Sequence, residues 1–355
     1  MKKKILHISY LLYLALASAC TSDPVPPPEP RARITLTVQS GPTAKAPGES
    51  EIRNVSAWLY ANQAAYQNGL PAEAFARADG TRLVVDTKQG SKYLVVLANY
   101  PDPGFNLSDP LDPDNLRHPI RTETCTLDQM ESEGFLMRGL PGQTTIADGR
   151  ALTVNVVRSI AKVTVEKISN NLTEPGWSGY PVQLSRVFLL NGVGRVIAGI
   201  GSSTPGIGDY FNCSARYSPA AGPYPDFGQM EAPALAEASP EVSIPAQGNY
   251  TRPITLYTAP NPATASPETG LDALMGADGW TPRRSRLVLE CIINGCRCYY
   301  PILLPILKEN TCYRITEIRL NHFGSDSPDI PVRFVSMMVS AQVTDWDGRT
   351  IDETI

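Results

Sequence analysis

The amino-acid sequence predicts an all-β protein. Short segments in which apolar and polar residues alternate recur along the chain, and turn-forming residues separate them. The chain contains 32 prolines and 27 glycines, and only 19% of its residues are charged. This composition leaves little room for long amphipathic helices. Because a period of two is typical of strands that bury one face, many short strands between turns indicate β-sandwiches.

Residues 1–19 predict a secretory signal peptide of the lipoprotein type. Three lysines at positions 2–4 precede an apolar stretch over residues 11–17, and small residues then lead to Cys20. Cleavage directly before a cysteine indicates its lipidation, although Ala17 stands where lipoproteins usually carry leucine. The alternative is an ordinary signal peptide with a cysteine near its cleavage site. The apolar stretch is too short for a transmembrane helix, so we expect the chain to work outside the cytoplasm.

Residues 20–32 predict an extended tether, because five prolines lie between Asp23 and Pro30 and proline-rich segments favour the polyproline conformation. A disordered leader without a role is the alternative. The rest of the chain has the length of about two domains. We place an N-terminal β-sandwich domain at residues 33–156 and a C-terminal one at residues 157–355.

Individual strands are predicted where the alternation is clearest. The apolar segment 93–99 is the best candidate for a central strand buried on both faces. A short helix is predicted from about Thr126 to Glu133. Asn294-Gly295 between two apolar segments predicts a two-residue type I′ hairpin. The predicted strands are 33–39, 52–60, 81–85, 93–99, 151–165, 182–190, 255–257, 286–293, 296–302, 313–320 and 332–346.

The hairpin places Cys291 opposite Cys298. Directly opposed side chains have Cβ atoms about 4.5–5.5 Å apart, slightly more than the roughly 3.8 Å of a disulfide. A disulfide is therefore feasible, and it suits a location outside the cytoplasm. Two buried thiols are an equally good interpretation. The cysteine spacing does not match a zinc site.

Several function classes are disfavoured. The formal charge is −4, and it becomes −4 − 3 = −7 once the three lysines of the signal peptide are removed. A mildly acidic mature chain without a basic segment argues against nucleic-acid binding. The four aspartates between residues 101 and 119 lack the spacing of an EF-hand. No catalytic or nucleotide-binding motif is present, and we expect His118 and His322 to be surface or capping residues. The sequence thus predicts no enzyme, no metal site and no cofactor.

Seven segments, taken together, resemble a known family. They are the signal with Cys20 and residues 94–99, 157–163, 299–301, 310–314, 324–329 and 343–346. In their order and spacing they resemble the fimbrillins, which are the major fimbrial subunits of Bacteroidia-type (type V) pili. The resemblance spans nearly the whole chain.

The resemblance implies two transthyretin-like β-sandwich domains and export as a lipoprotein to the outer membrane. It also implies that a trypsin-like protease cuts after a basic residue behind the first strand, here residues 33–39. The cut then falls after Lys45 and before Ala46, although the family more often has arginine there. Arg53 lies inside a predicted strand and should be protected, whereas Arg31 and Arg33 precede the first strand.

In the family, a strand from a neighbouring subunit fills the groove that the lost strand leaves. A strand removed from a sandwich exposes unpaired backbone groups and an apolar trench, and a donor strand repairs both. We expect the C-terminal segment to be this donor, and its alternative is an ordinary edge strand. The expected donor residues are Phe334, Val335, Met337, Val339, Ala341 and Val343.

The resemblance therefore implies a polymerising subunit of a cell-surface fimbria that supports adhesion. Its expected partners are other fimbrial subunits, the maturation protease and, through the lipid, the outer membrane. The alternative is a non-polymerising surface lipoprotein of the same fold, acting as a tip adhesin or as a glycan- or protein-binding module. The Gly/Pro-rich insert 192–248 could supply such contacts through its aromatic residues, or it could equally be a packed loop. These residues are Tyr210, Phe211, Tyr217, Tyr224 and Phe227.

Overall fold

The computed structural model describes residues 30–40, 48–109, 111–139, 142–199, 204–213, 230–264, 282–330, 332, 337–345 and 350–351. Within these ranges strands are the main secondary structure and helices are few, and the all-β class is confirmed. The α-helices are α1 (Gln63–Gln67), α2 (Pro113–Arg117) and α3 (Leu127–Glu133), and single 3-10 turns occupy Ile207–Asp209 and Ala234–Ala236. No described helix is long and apolar enough to cross a bilayer.

Residues 31–158 supply one eight-stranded sheet. Its strands are β1 (Arg31–Ser40), β2 (Asn54–Tyr60), β3 (Ala74–Asp79), β4 (Arg82–Lys88), β5 (Gly90–Ala98), β7 (Met137–Gly139), β8 (Gly142–Ile146) and β9 (Ala151–Arg158), while β6 (Thr124–Thr126) pairs elsewhere. The order is β3-β2-β5-β7-β9-β1-β4, with β8 beside β5. β1 is parallel to β9 and antiparallel to β4, so both edges of the first strand are paired.

Residues 161–351 supply the strands of the other sheets, apart from β6. The seven-stranded sheet contains β10 (Ala161–Val165), β11 (Ile168–Asn170), β18 (Asn249–Tyr250), β19 (Ile254–Thr258), β22 (Thr311–Leu320), β23 (Met337–Asp345) and β24 (Thr350–Ile351). The five-stranded sheet contains β12 (Val182–Leu190), β16 (Glu237–Ala238), β17 (Val242–Ile244), β20 (Arg286–Ile293) and β21 (Cys296–Leu303). Two small sheets pair β13 (Gly192–Val193) with β15 (Tyr210–Phe211) and β14 (Arg195–Ile197) with β6.

The two halves of the chain form separate main sheets, but a small sheet contains one strand from each half. The chain leaves the first sheet after Arg158 and enters the seven-stranded sheet at Ala161, whereas β6 and β14 pair across the halves. The division into two domains at residues 156 and 157 stays a prediction.

Apolar side chains pack into two main clusters. One is confined to residues of the first sheet, among them Ile34, Leu36 and Leu59. The other runs from Trp58 to Val343 and so includes both halves of the chain. β5 lies between β2 on one side and β7 and β8 on the other. It is buried from Lys92 to Ala98, because its alternate apolar side chains pack into the two clusters, Val95 and Leu97 into one and Leu94 and Val96 into the other. The prediction of a central strand there is confirmed.

Two local signals gave the predicted structure. α3 begins after Thr126, whose hydroxyl accepts from the Gln129 N–H while the Gln129 side chain accepts from the Thr126 N–H, a reciprocal capping box. At the hairpin, Asn294 and Gly295 have φ of 48° and 80°, the left-handed conformations that a type I′ turn requires. Cys291 and Cys298 are direct cross-strand partners, as predicted.

Several strand boundaries differ from the predictions, including the three that follow. Arg31 and Arg33 lie inside β1, because β4 extends to Lys88 and pairs with Arg31. Arg53 precedes β2 instead of lying inside it, since pairing with β3 begins at Asn54. The predicted strand 151–165 is two strands, interrupted where the chain changes sheets.

Candidate strand-exchange site

Every second residue of β1 is buried. Ala32, Ile34, Leu36 and Val38 are at most 3% exposed, and all four belong to the apolar cluster of the first sheet. The residues between them point outwards, and one of these, Arg33, forms an exposed ion pair of 2.7 Å with Asp86 on β4. The guanidinium holds the pKa of Asp86 below its usual range. The strand thus has one apolar face and one solvated face.

The apolar face makes β1 costly to remove. A fully buried Ile, Leu or Val stabilises a fold by about 1.5–3 kcal/mol, so the three large side chains of β1 together contribute roughly 5–9 kcal/mol. That is comparable with the whole stability of an ordinary domain, about 5–15 kcal/mol. Loss of β1 therefore either unfolds this sheet or requires a replacement strand.

The sheet order defines the groove that β1 would leave. β9 would lose the partner that faces Ala151 to Val156, and β4 would lose its pairing along Arg82 to Lys88. Within the described residues, β4 pairs with no strand other than β1. A replacement must therefore satisfy two strand edges and fill one apolar trench between them.

The loop that joins β1 to β2 carries the predicted cleavage site. Lys45 and Ala46 lie outside the described residues, as does the predicted lipidation site Cys20. The loop begins after Ser40, the last residue of β1, and a turn at Gly48 follows it. A cut within it would therefore separate β1 covalently from everything that follows.

The expected donor segment coincides with β23 in its described part. Met337, Val339, Ala341 and Val343 face the large apolar cluster, and the alternate residues Met338, Ser340 and Gln342 are exposed. β23 pairs with β22 and, at its end, with the two residues of β24. Phe334 and Val335 lie outside the described residues. In this chain β23 thus belongs to its own sheet, where only the two-residue strand β24 lies between it and the sheet edge.

Cys291 and Cys298 are both buried free thiols in the structure, and the disulfide between them stays a prediction. Burial raises the pKa of Cys298 to about 11 and raises that of Cys291 well above its ordinary value. Both thiols are therefore protonated at neutral pH and are poor nucleophiles.

The aspartates of the 101–119 segment hold turns. Asp102 accepts from the Gly104 N–H at 2.8 Å, Asp109 from the Leu111 N–H, and Asp112 caps α2 through the Asp114 N–H. Among the described residues, no three His, Cys, Asp or Glu side chains converge as metal ligands would.

The two histidines occupy structural positions. His118 follows the last residue of α2, and its Nε2 lies 2.9 Å from the Tyr100 hydroxyl. The Trp58 ring stacks on the His118 ring, with 6.2 Å between the ring centroids. Burial lowers the pKa of His118. His322 lies 3.7 Å from Glu174.

Of the five aromatic residues named in the insert, the structure describes two. Tyr210 and Phe211 form β15 and are fully buried, so the interpretation of these two as ligand contacts is wrong. They pack in the core because β15 pairs with β13. Tyr217, Tyr224 and Phe227 lie outside the described residues.

One buried polar cluster went unnoticed in the sequence. Glu49, just behind the cleavage loop, is 4% exposed and contacts Lys162 and Tyr257. A lysine amid the alternating apolar residues of 161–165 was a weak sign of it. Nothing in the sequence connects that lysine to a glutamate more than a hundred residues earlier.

Solved structures share this architecture. The fimbrilin FimA of Porphyromonas gingivalis superimposes with a TM-score of 0.61 at 15% identity, covering 90% of this chain and 99% of that one. This chain has the fimbrillin fold. A candidate cell adhesion protein from Parabacteroides distasonis gives a TM-score of 0.61 at 14% identity, covering 90% of this chain and 100% of the other.

The tip fimbrial protein of Porphyromonas gingivalis, with a C-terminal truncation, gives a TM-score of 0.51 at 13% identity, covering 89% of this chain and 100% of that one. No protein-family model matches the sequence, and no curated protein matches it. The predicted resemblance to fimbrillins is therefore confirmed as a resemblance of fold.

Proposed function

We propose that this chain is a structural subunit of a cell-surface fimbria and polymerises by strand exchange. The observation that carries the proposal is the match between two strands at opposite ends of the chain. β1 buries Ala32, Ile34, Leu36 and Val38 at every second position, and β23 turns four apolar residues inwards with the same spacing. A groove shaped for β1 would therefore accept β23 of a neighbouring copy.

The maturation steps belong to the same proposal. The chain is exported as a lipoprotein through Cys20, reaches the outer membrane, and is cut between Lys45 and Ala46 by a protease that recognises basic residues. This cut releases the body from its lipid, because Cys20 lies on the other side of it. The position of the loop, directly after β1, supports a cut that frees this strand and no other.

Strand exchange of this kind propagates. The groove lies in the first sheet, whereas the donor lies in the seven-stranded sheet of the second half. Donor and acceptor are different surfaces, so each added copy presents a new groove or a new donor, and a head-to-tail contact that does not close builds a filament. The proposed product is a fimbria that supports adhesion, without enzymatic activity or a cofactor.

The alternative, a non-polymerising tip adhesin or binding module, retains three of its five aromatic residues as candidates, all outside the described residues. The strand match favours the polymerising subunit, since a binding module has no need of a donor strand that matches its own first strand.

Limited trypsin digestion tests the proposal. The chain lacking its signal peptide is digested, its new amino terminus is sequenced, and growth is followed by light scattering. We expect a terminus at Ala46 followed by filaments, and neither in the Lys45→Gln variant. A body that is cut at Lys45 and stays monomeric at high concentration would contradict self-polymerisation and favour the alternative.

A further inference from the structure

A second basic residue lies close behind the proposed cleavage site. Arg53 directly precedes β2, and its side chain is 45% exposed. A protease that cuts after basic residues could therefore attack here as well as at Lys45. A cut after Arg53 would remove the whole segment that joins the loop to β2.

The segment Gly48–Arg53 is held at its downstream end by backbone hydrogen bonds. The Arg53 N–H donates to Asn99 Oδ1 at 2.8 Å, and the Arg53 carbonyl accepts from the Gly80 N–H at 2.7 Å. The Asn99 amide also donates to the Glu51 carbonyl at 2.7 Å. A protease binds its substrate in an extended form, so these bonds must open before Arg53 can be cut.

Glu49 holds the upstream end. Its Oε1 accepts from Lys162 Nζ and from the Tyr257 hydroxyl, both at 2.6 Å. Its carbonyl accepts from Arg158 Nε at 2.7 Å. The carboxylate is almost completely buried, so separating it from Lys162 would leave a buried charge without its counter-ion, which is strongly unfavourable.

The strand register explains why these partners lie together. Lys162 on β10 is the direct cross-strand partner of Tyr257 on β19. Residues that lie directly opposite each other on two antiparallel strands project to the same face of the sheet. Glu49 therefore binds a feature built by the second half of the chain, although it belongs to the first.

We propose that Glu49 is a specificity-determining residue for processing: by fixing the segment Gly48–Arg53 to β10 and β19, it prevents a second cut after Arg53 once the loop at Lys45 is open. The inference rests on the proposed function, because it assumes the cut at Lys45. Before that cut the chain itself restrains the segment on both sides. Afterwards the covalent restraint upstream is gone, and the Glu49 contacts take its place.

The test compares two glutamates that have the same kind of partners. Glu49→Gln removes the charge and keeps the shape. The control is Glu317→Gln, since Glu317 also contacts a lysine, Lys167 at 2.9 Å, and a hydroxyl, Ser169 at 2.8 Å, and in addition Arg319 at 2.7 Å. Glu317 lies on β22, whereas Arg53 is hydrogen-bonded to Glu51, Asn99, Ser132 and Gly80.

Each protein, as the chain lacking its signal, is digested with trypsin, and its amino termini are sequenced over time. The wild type and Glu317→Gln are expected to stop at Ala46. Glu49→Gln is expected to proceed to Asn54 about tenfold faster or more, because cleavage follows the population of the locally open state. Equal resistance in Glu49→Gln, or equal acceleration in Glu317→Gln, would overturn the proposal.

Two further variants keep the outcome interpretable. Tyr257→Phe removes one hydroxyl only, so it provides the same comparison if Glu49→Gln does not fold, and unchanged resistance there would count against the anchor. In the other, the recognition sequence of a site-specific protease replaces residues 41–47. Opening that loop first and then adding trypsin tests protection of Arg53 even if the wild type is never cut at Lys45.

Discussion

Leu36→Ala separates the stability of the precursor from that of the assembled form. Leu36 is completely buried in β1, where its neighbours across the sheet are Leu83 on β4 and Leu152 on β9. Truncating a buried leucine to alanine costs about 2–5 kcal/mol, the transfer term and the cavity together. The uncut chain should therefore unfold at a distinctly lower urea concentration.

The same substitution should have no effect after maturation, because β1 has then left and a donor strand occupies its place. Leu59→Ala is the matched control: Leu59 is equally buried in the same cluster, but it lies on β2 and stays with the body. Urea unfolding of uncut monomers and of cut polymers measures both. Equal destabilisation of the polymer by the two variants would refute the replacement of β1.

Two more expectations follow from the donor strand and its neighbour. Ala341→Asp places a charge on the inward face of β23, so the cut protein should stay monomeric by light scattering, whereas Gln342→Asp on the exposed face should still assemble; assembly of both would contradict β23 as the donor. Hydrogen bonds from Arg319, the larger cause, and from Lys167 lower the pKa of Glu317 from 4.5 to about 2. Because the folded-state pKa is the lower one, this contribution to stability is present above pH 4.5 and lost as the pH falls towards 2, and Glu317→Gln should flatten acid unfolding over that range; an unchanged acid profile would show that the group does not contribute.

The sequence was sufficient to predict structural features that depend on residues close together in the chain. The sequence predicts β12 at Val182–Leu190, as the structure has it, because an alternating start followed by a short continuous apolar run is typical of a strand. Thr126 and Gln129 determine the start of α3, and Asn294-Gly295 determines the hairpin, because each feature depends on residues only a few positions apart.

The sequence predicted strand boundaries and short strands less well, because these depend on pairing with other strands. The extension of β1 to Arg31 follows from the length of β4, and the end of β9 at Arg158 follows from the change of sheet. A short strand such as β7 carries no periodic signal of its own, and it exists because the longer strands β5 and β9 pair with it.

What the sequence by itself determined is the all-β class and the apolar faces of β1 and β23, since these depend on residue type and spacing alone. Tertiary structure alone decided that β1 lies between β9 and β4, that Tyr210 and Phe211 are buried in the core, and that Glu49 meets Lys162. These are contacts between residues far apart in the chain, and their partners are selected by the register and order of whole strands, which no local pattern specifies.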